Sequence, residues 1–290
     1  MRLVETPLEA RALYAGTVGL VPTMGALHGG HLSLLAAARS SCDTVVMSLF
    51  VNPLQFDQSA DLERYPRDLE SDAALADEAG VDVLFAPPLE VMYPRDLLAS
   101  VTVARVTDHM EGPHRPGHFA GVATVVAKLL ASLRPDRSFF GRKDHQQLVM
   151  VRTMSEDLSF PGEIVGCPIV RDVDGLALSS RNVFIEDRAA ALSLSRGLMA
   201  AADAVEEGTR SFDDLDKLVR SHLIADTVEY VTLASQSLAE PITQLDRPAF
   251  LAVAARVGPV RLIDNLPIDL VGEMWVPDRG VGPDREAGRL

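Results

Sequence analysis

Residues 21–35 read VPTMGALHGGHLSLL: the end of an apolar run, a glycine-softened corner carrying two histidines, and an amphipathic continuation. The apolar run suits a buried strand and the spacing after the corner suits a helix. Such a junction offers free backbone N–H groups at the positive end of a helix dipole, and glycines let a phosphate approach the main chain closely. His28 and His31, three apart on the first helical turn, point the same way, so both rings can address one ligand. Three chemistries compete for this corner: a phosphate cradle, a metal site, and a structural pair in which one histidine caps and the other packs. Zinc is disfavoured, because His109, His114, His118, His145, His222 and the two cysteines show no ligand spacing. No lysine-serine or lysine-threonine follows the glycines and no G-x-G-x-x-G occurs, so a cradle here uses histidines in place of a P-loop lysine.

Outward from the corner, strand-like and helical runs alternate. GTVGLVPTM predicts a strand and residues 31–40 a helix, and DTVVMSLFV (43–51) has the near-continuous apolar character of a strand buried on both faces. RDLESDAALADEAG predicts a helix ending at Gly80, before a strand VDVLFAP. A helix from about Gly121 to Leu133, a short strand SFFG, a helix DHQQLVMVRTMSEDL and a last strand EIVGCPIVRD complete the pattern. The expectation is an α/β fold with a Rossmann-like, doubly wound parallel sheet, ligands binding beyond the carboxyl ends of the strands. From about residue 182 helices come first (187–207 and 212–225) and the strands VEYVTLAS, FLAVAARVG and VRLIDNLP follow, which predicts a smaller C-terminal α+β domain. The expected division is 1–170, 171–276 and a flexible tail over 277–290, rich in Gly, Pro and charge.

Composition limits the partners. At 290 residues with 27 Lys+Arg against 41 Asp+Glu, the formal charge is −14 and the pI near 4.9. That balance argues against non-specific binding of nucleic acid or anionic membrane, so an anionic ligand needs a local basic cluster. No signal-peptide pattern or membrane-length apolar segment is present, and Cys42 and Cys167 suit reduced thiols in a cytoplasmic setting.

H-x-G-H after a first strand resembles the signature of the nucleotidylyltransferases and class I aminoacyl-tRNA synthetases, the HxGH superfamily. FVNPLQF (50–56), RPGHFAGVATVVAKLL (115–130), FFGRKDHQQL (139–148) and DGLALSSRN (174–182) narrow it. With PTMGALHGGH, in that order, they resemble the pantothenate synthetase (pantoate–β-alanine ligase) family over about residues 20–182, and more weakly beyond. The resemblance implies an ATP-dependent ligation: pantoate's carboxylate attacks the α-phosphorus, giving pantoyl adenylate and pyrophosphate, and β-alanine's amine then displaces AMP. Charge gathers on phosphate oxygens in the first step, so such a site needs positioned cations and N–H donors more than a covalent nucleophile.

By this resemblance His28, His31 and Lys143 address the phosphates, and Ser179, Ser180 and Arg181 form a second ATP segment akin to the mobile lysine-serine loop of the synthetases. Arg supplies a planar fork of donors there and the serines rotate to fit. Phe140, Gly141 and Asp144 stand where the family holds adenosine, and Pro22, Thr23, Met24, Val170 and Leu178 complete the implied nucleotide contacts. Gln55 and Gln147 are the implied pantoate and β-alanine contacts, with Pro22, Met24 and Phe56 as apolar walls. ATP implies Mg²⁺, for which Asp72 is the positional candidate. Arg115 and His118 fall in a block that faces the site in the family, without an assigned role, and a homodimer is implied. Gly29, Arg142, His145 and Leu178 depart from the family pattern beside functional positions. Arg142 adds a like charge next to Lys143, which would weaken that lysine's hold on its proton. Two other readings stay open: an adenylyltransferase acting on a phosphorylated acceptor, and a non-catalytic nucleotide sensor.

Overall fold

The computed structural model describes residues 1–56, 62–63 and 65–283. Six parallel strands make the first sheet: β1 (Arg2–Val4), β2 (Val18–Thr23), β3 (Thr44–Leu49), β4 (Val83–Phe85), β5 (Arg137–Gly141) and β6 (Glu163–Cys167), in the order β1-β4-β3-β2-β5-β6. Its two faces are read directly from residue alternation. Leu20, Val46 and Phe85 join one core with the helices His118–Leu133 and His145–Asp157, while Val21, Val45, Met47 and Leu84 join another with Gly29–Ser41 and Leu69–Glu78. Helices therefore cover both faces, as the continuous apolar runs require. Pro168 ends the last strand before the predicted IVRD continuation, since it has no N–H to give the ladder. The edge strand β1 and the helix Pro7–Ala12, closed by a Thr6/Glu9 capping box, are too short for the apolar pattern to show.

The chain winds from β2 outward to β4, then crosses to β5 and β6 on the other side. β2 and β5 are paired only through Gly19–Arg137 and Leu20–Ser138, so their carboxyl ends splay. This reversal of direction is where an open α/β sheet has its crevice.

The second sheet is antiparallel, β10-β9-β8-β7, from β7 (Thr227–Ser235), β8 (Ala249–Val257), β9 (Val260–Val271) and β10 (Met274–Pro277). Along β8 the odd residues Leu251, Val253 and Ala255 pack against the helices Arg188–Glu206 and Phe212–His222. Phe250 and Ala252, pointing the other way, join the core of the first sheet. A strand with two apolar faces thus welds the units together.

The tail is corrected for residues 277–283. Pro267 O accepts from Asp278 N–H at 2.7 Å, Val281 exchanges hydrogen bonds of 2.8 Å with Ile169 and Arg171, and Arg279 pairs with Asp203 and Glu206. Glycine and proline content suggested a loose end, but these backbone groups bridge to β6's continuation. The remainder, 284–290, lies outside the described residues. Among the described residues no helix is long and apolar enough to cross a membrane.

Candidate active site

After β2 the chain turns through Gly25 and Ala26, with φ of +84° and +53°. Both oxygens of the buried Asp72 carboxylate brace this turn, accepting from Ala26 N–H at 2.9 Å and Leu27 N–H at 2.8 Å. His28 then caps the helix Gly29–Ser41, its Nδ1 accepting from Gly30 N–H at 3.1 Å. That contact leaves the ring proton on Nε2 in the neutral form. A Cβ at Gly30 would lie 2.8 Å from His28 Cε1, so any larger residue there would displace the capping ring. His31 follows with ring centroids 4.2 Å apart. Burial, then His31 and Lys143, pushes the His28 pKa down to about 3, and burial pushes His31 to about 4. Both rings are therefore uncharged at neutral pH, each with one N–H to donate.

A cavity of about 260 Å³ opens over this corner. Its walls include His28, His31, Lys143, Ser179, Ser180 and Arg181, together with Pro22, Thr23, Met24, Phe140, Gly141, Asp144, Val170, Leu178, Gln55 and Gln147. The three segments predicted to meet one nucleotide therefore border one space. Phe56 stands apart from it, in the wider cleft of about 890 Å³ between the two sheets. Lys143 comes from the turn Arg142–Asp144 directly after β5, and Ser179 caps the short helix Ser180–Phe184. Asp144 is open to the cavity yet surrounded by protein; burial raises its pKa, but Lys143, Arg181 and Arg115 outweigh that and hold it below the usual carboxylate value.

At the other end, Asn52 is fully enclosed. Its Nδ2 donates to Gln55 Oε1 and to Gly121 O, both at 3.1 Å, while its Oδ1 accepts from Tyr93 O–H at 2.8 Å. With its oxygen engaged, Gln55 presents Nε2 to the pocket, 2.9 Å from Met24 S. The amide is thereby biased toward donating. His118 is a neutral relay: burial depresses its pKa to about 4, its Nδ1–H donates to Gln55 O at 2.8 Å, and Nε2 accepts from Arg115 Nη1 at 3.0 Å. Arg115, His118, Asn52 and Tyr65 all line the cavity, and Tyr65 reaches Ser180. Asn52 was visible inside FVNPLQF, but nothing in the sequence singled out Tyr65.

Asp72 does not border the cavity. The residue is 4% exposed and both carboxylate oxygens serve backbone N–H groups, so in this structure it braces the loop. Among the described residues no group of three or more His, Cys, Asp or Glu could hold a metal.

The departures have structural partners. Arg142 Nη1 faces Asp278 at 3.2 Å and Asp269 at 3.5 Å, so its charge is met by carboxylates of the C-terminal unit. His145 stacks on Phe250 with centroids 4.3 Å apart and an interplanar angle of 26°, and burial followed by Arg142 and Arg152 lowers its pKa to about 3. Gly29 and Leu178 are complementary: a Cβ at position 29 would lie 2.9 Å from Leu178 Cδ1.

The family model for pantoate–β-alanine ligase matches residues 2–267. The chain belongs to the pantoate–β-alanine ligase family. Among curated ligases of this kind, the pantothenate synthetase of Heliobacterium modesticaldum is 46% identical over 281 residues, covering 93% of this chain and 100% of that protein. The crystal structure of pantothenate synthetase from Thermus thermophilus superposes with a TM-score of 0.87 at 46% identity, covering 92% of this chain and 99% of that one. A pantoate–β-alanine ligase from Francisella tularensis, crystallised with β,γ-ATP and β-alanine, superposes with a TM-score of 0.71 at 31% identity, covering 91% and 97%. The ligase fold of these relatives is the six-stranded parallel sheet with its smaller antiparallel partner.

Proposed function

We propose that this chain condenses pantoate with β-alanine at the expense of ATP, through pantoyl adenylate, releasing pyrophosphate and AMP. The observation that carries the reading is the convergence of the His28–His31 corner, the Lys143 turn and the Ser179–Arg181 segment on one cavity that also holds Gln55 and Gln147. A free carboxylate is a poor acyl donor, and adenylation supplies the leaving group that amide formation needs. His28 Nε2–H, His31, Lys143 and the N-terminus of the helix Gly29–Ser41 address charge gathering at the α- and β-phosphates. Ser179, Ser180 and Arg181 take the outer phosphates, and Asp144 accepts from ribose hydroxyls beside Phe140 and Gly141. Gln55 donates to pantoate at the inner end, and Gln147, also on the cavity wall, is the other contact for pantoate and β-alanine.

Mg²⁺ enters with ATP. Asp144 is the carboxylate among the described cavity-lining residues, a donor set that fits a cation held mainly by phosphate oxygens and water. When bound it neutralises phosphate charge; the protein's part is to hold the triphosphate. The proposal includes residues 171–276 as a lid over residues 1–170, a homodimer testable by light scattering, and a cytoplasmic setting in keeping with free, buried Cys42 and Cys167.

The test is product analysis. AMP should form only with both pantoate and β-alanine, and pyrophosphate should exchange into ATP with pantoate alone. Exchange without pantoate would establish an adenylyltransferase instead, and tight ATP binding with no AMP from any acid would establish a sensor.

A further inference from the structure

Asn265 lies on β9 of the second sheet, against the turn Arg142–Asp144 that carries Lys143, and is 3% exposed. Its Nδ2 donates to two successive carbonyls, Arg142 O at 3.0 Å and Lys143 O at 2.7 Å. Only the nitrogen end of an amide can face two carbonyl oxygens, which fixes its orientation. Oδ1 therefore turns away from them, and neither it nor His145 Nδ1 has a partner among the described residues. Both residues border a space of about 30 Å³, of a size and polarity that suit one water. The backbone of Asn265 is itself anchored. Its N–H donates to Asp264 Oδ1 at 2.8 Å, and Asp264 holds the buried Arg171 with bonds of 2.7 and 3.1 Å. Asn265 borders neither the nucleotide cavity nor the wide cleft, and the small space it does border is walled partly by Lys143, Asp144 and Gln147.

We propose that Asn265 is the positioning residue for Lys143, gripping the lysine's own peptide from the C-terminal sheet so that the ammonium reaches the triphosphate from one fixed root. The inference rests on the role given to Lys143 above. A lysine on a four-carbon stem is only as well placed as its Cα, and a shift of about 1 Å at a catalytic group can cost on the order of 10²-fold in rate. The two hydrogen bonds also make the nucleotide site depend on seating of the C-terminal sheet, because the donor and the lysine come from different units.

The measurement is pantoate-dependent pyrophosphate exchange in the full-length wild type, N265A, N265D, K143A and K143A/N265A, at equal folded concentration set by circular dichroism. N265D keeps the size and the outward oxygen and turns the donor into an acceptor facing two carbonyls. The expected result is a fall in kcat of about 10-fold in N265A and at least as much in N265D, with KM for pantoate within about twofold. K143A/N265A should be as slow as K143A alone, because a residue acting through the lysine then has nothing to position. A double variant about 10-fold slower than K143A, as a merely structural role gives, overturns the inference, as does wild-type kcat in N265A or N265D. Wild-type kcat in K143A would instead sink the role of the lysine itself, separating the two failures.

Discussion

His28 and His31 face the cavity as neutral rings held at pKa values of about 3 and 4 by burial. In the proposed reaction their contribution is a pair of placed N–H donors, with the fixed positive charge left to Lys143 and Arg181. His31→Ala and Lys143→Ala should each lower turnover by at least ~10²-fold with the circular dichroism spectrum unchanged, since both act on charge that develops in the transition state. Wild-type turnover in either purified variant removes it from the mechanism. The same burial has a consequence for stability. His28, His31, His118 and His145, at about 3, 4, 4 and 3, all bind a proton more weakly when folded than at the ordinary value of 6.5. Between those limits the unfolded chain binds more protons, so the stability these groups contribute is full above about pH 6.5 and is lost as the pH falls toward 3. Glu111 and Asp144, whose pKa values are lowered, add the same sign at still lower pH. Thermal melts from pH 7.5 to 5 should show a falling midpoint, and His145→Phe, which keeps a ring stacked on Phe250, should flatten that dependence. An unchanged slope in H145F would mean that His145 keeps its proton affinity in the fold.

The corner between β2 and its helix is the element on which the site is built, and its shape is imposed from outside. Asp72, on the helix Leu69–Glu78, holds the N–H groups of Ala26 and Leu27, and the left-handed Gly25 packs so tightly that a Cβ would sit 2.5 Å from Asp72 Oδ2. Asp72→Ala leaves two turn amides without their acceptor, at a cost of about 1–3 kcal/mol for each one that stays buried. Such a variant should lose stability in urea unfolding and lose kcat as His28 drifts, while the Mg²⁺ concentration for half-maximal rate stays put. A several-fold rise in that concentration would return Asp72 to the metal. The corner was legible because strand, glycines and helix announce themselves locally, in period and in turn chemistry. The function of Asp72 was not, because an acid in a helical run shows nothing of the loop folded against it 45 residues away in sequence. Asn265 was hidden for the same reason: it reads as one polar residue in a strand, and its meaning lies in two carbonyls 123 and 122 positions earlier. The tail misled in the opposite direction, since its glycine, proline and charge content suggested looseness although Val281 closes a bridge to Val170.

Between the two sheets, an ionic contact borders the cleft. Glu111, 7% exposed at the start of the short helix Glu111–His114, receives both terminal nitrogens of Arg261 at 2.7 Å and the Tyr230 hydroxyl at 2.7 Å. Burial raises the Glu111 pKa, but the Arg261 and Tyr230 bonds overcome this and leave it lowered, so the carboxylate is charged at neutral pH. Arg261 in turn donates to Glu229 at 2.7 Å, which Arg256 also approaches at 3.2 Å. A buried pair of this kind gains little over apolar residues of the same volume, whereas removing Glu111 leaves Arg261 with Glu229 alone and the Tyr230 hydroxyl without its acceptor, a loss below the roughly 3–5 kcal/mol of a fully stranded charge. The consequence falls on the interface, because Glu111 belongs to the first unit while Arg261 and Tyr230 lie on strands of the second. Trp275, the chain's single tryptophan, is half-buried against the core of the C-terminal sheet and reports that unit alone. In wild-type protein, urea unfolding followed by Trp275 fluorescence and by circular dichroism should coincide, as a welded pair of units requires. In Glu111→Ala the two curves should separate, with the docked state failing first, and E111M/R261M should recover most of the loss because no charge is left unpaired. If E111A unfolds with coincident curves at the wild-type midpoint, the units are held together by the apolar contacts of Phe250 and Ala252, and the ion pair only decorates the seam.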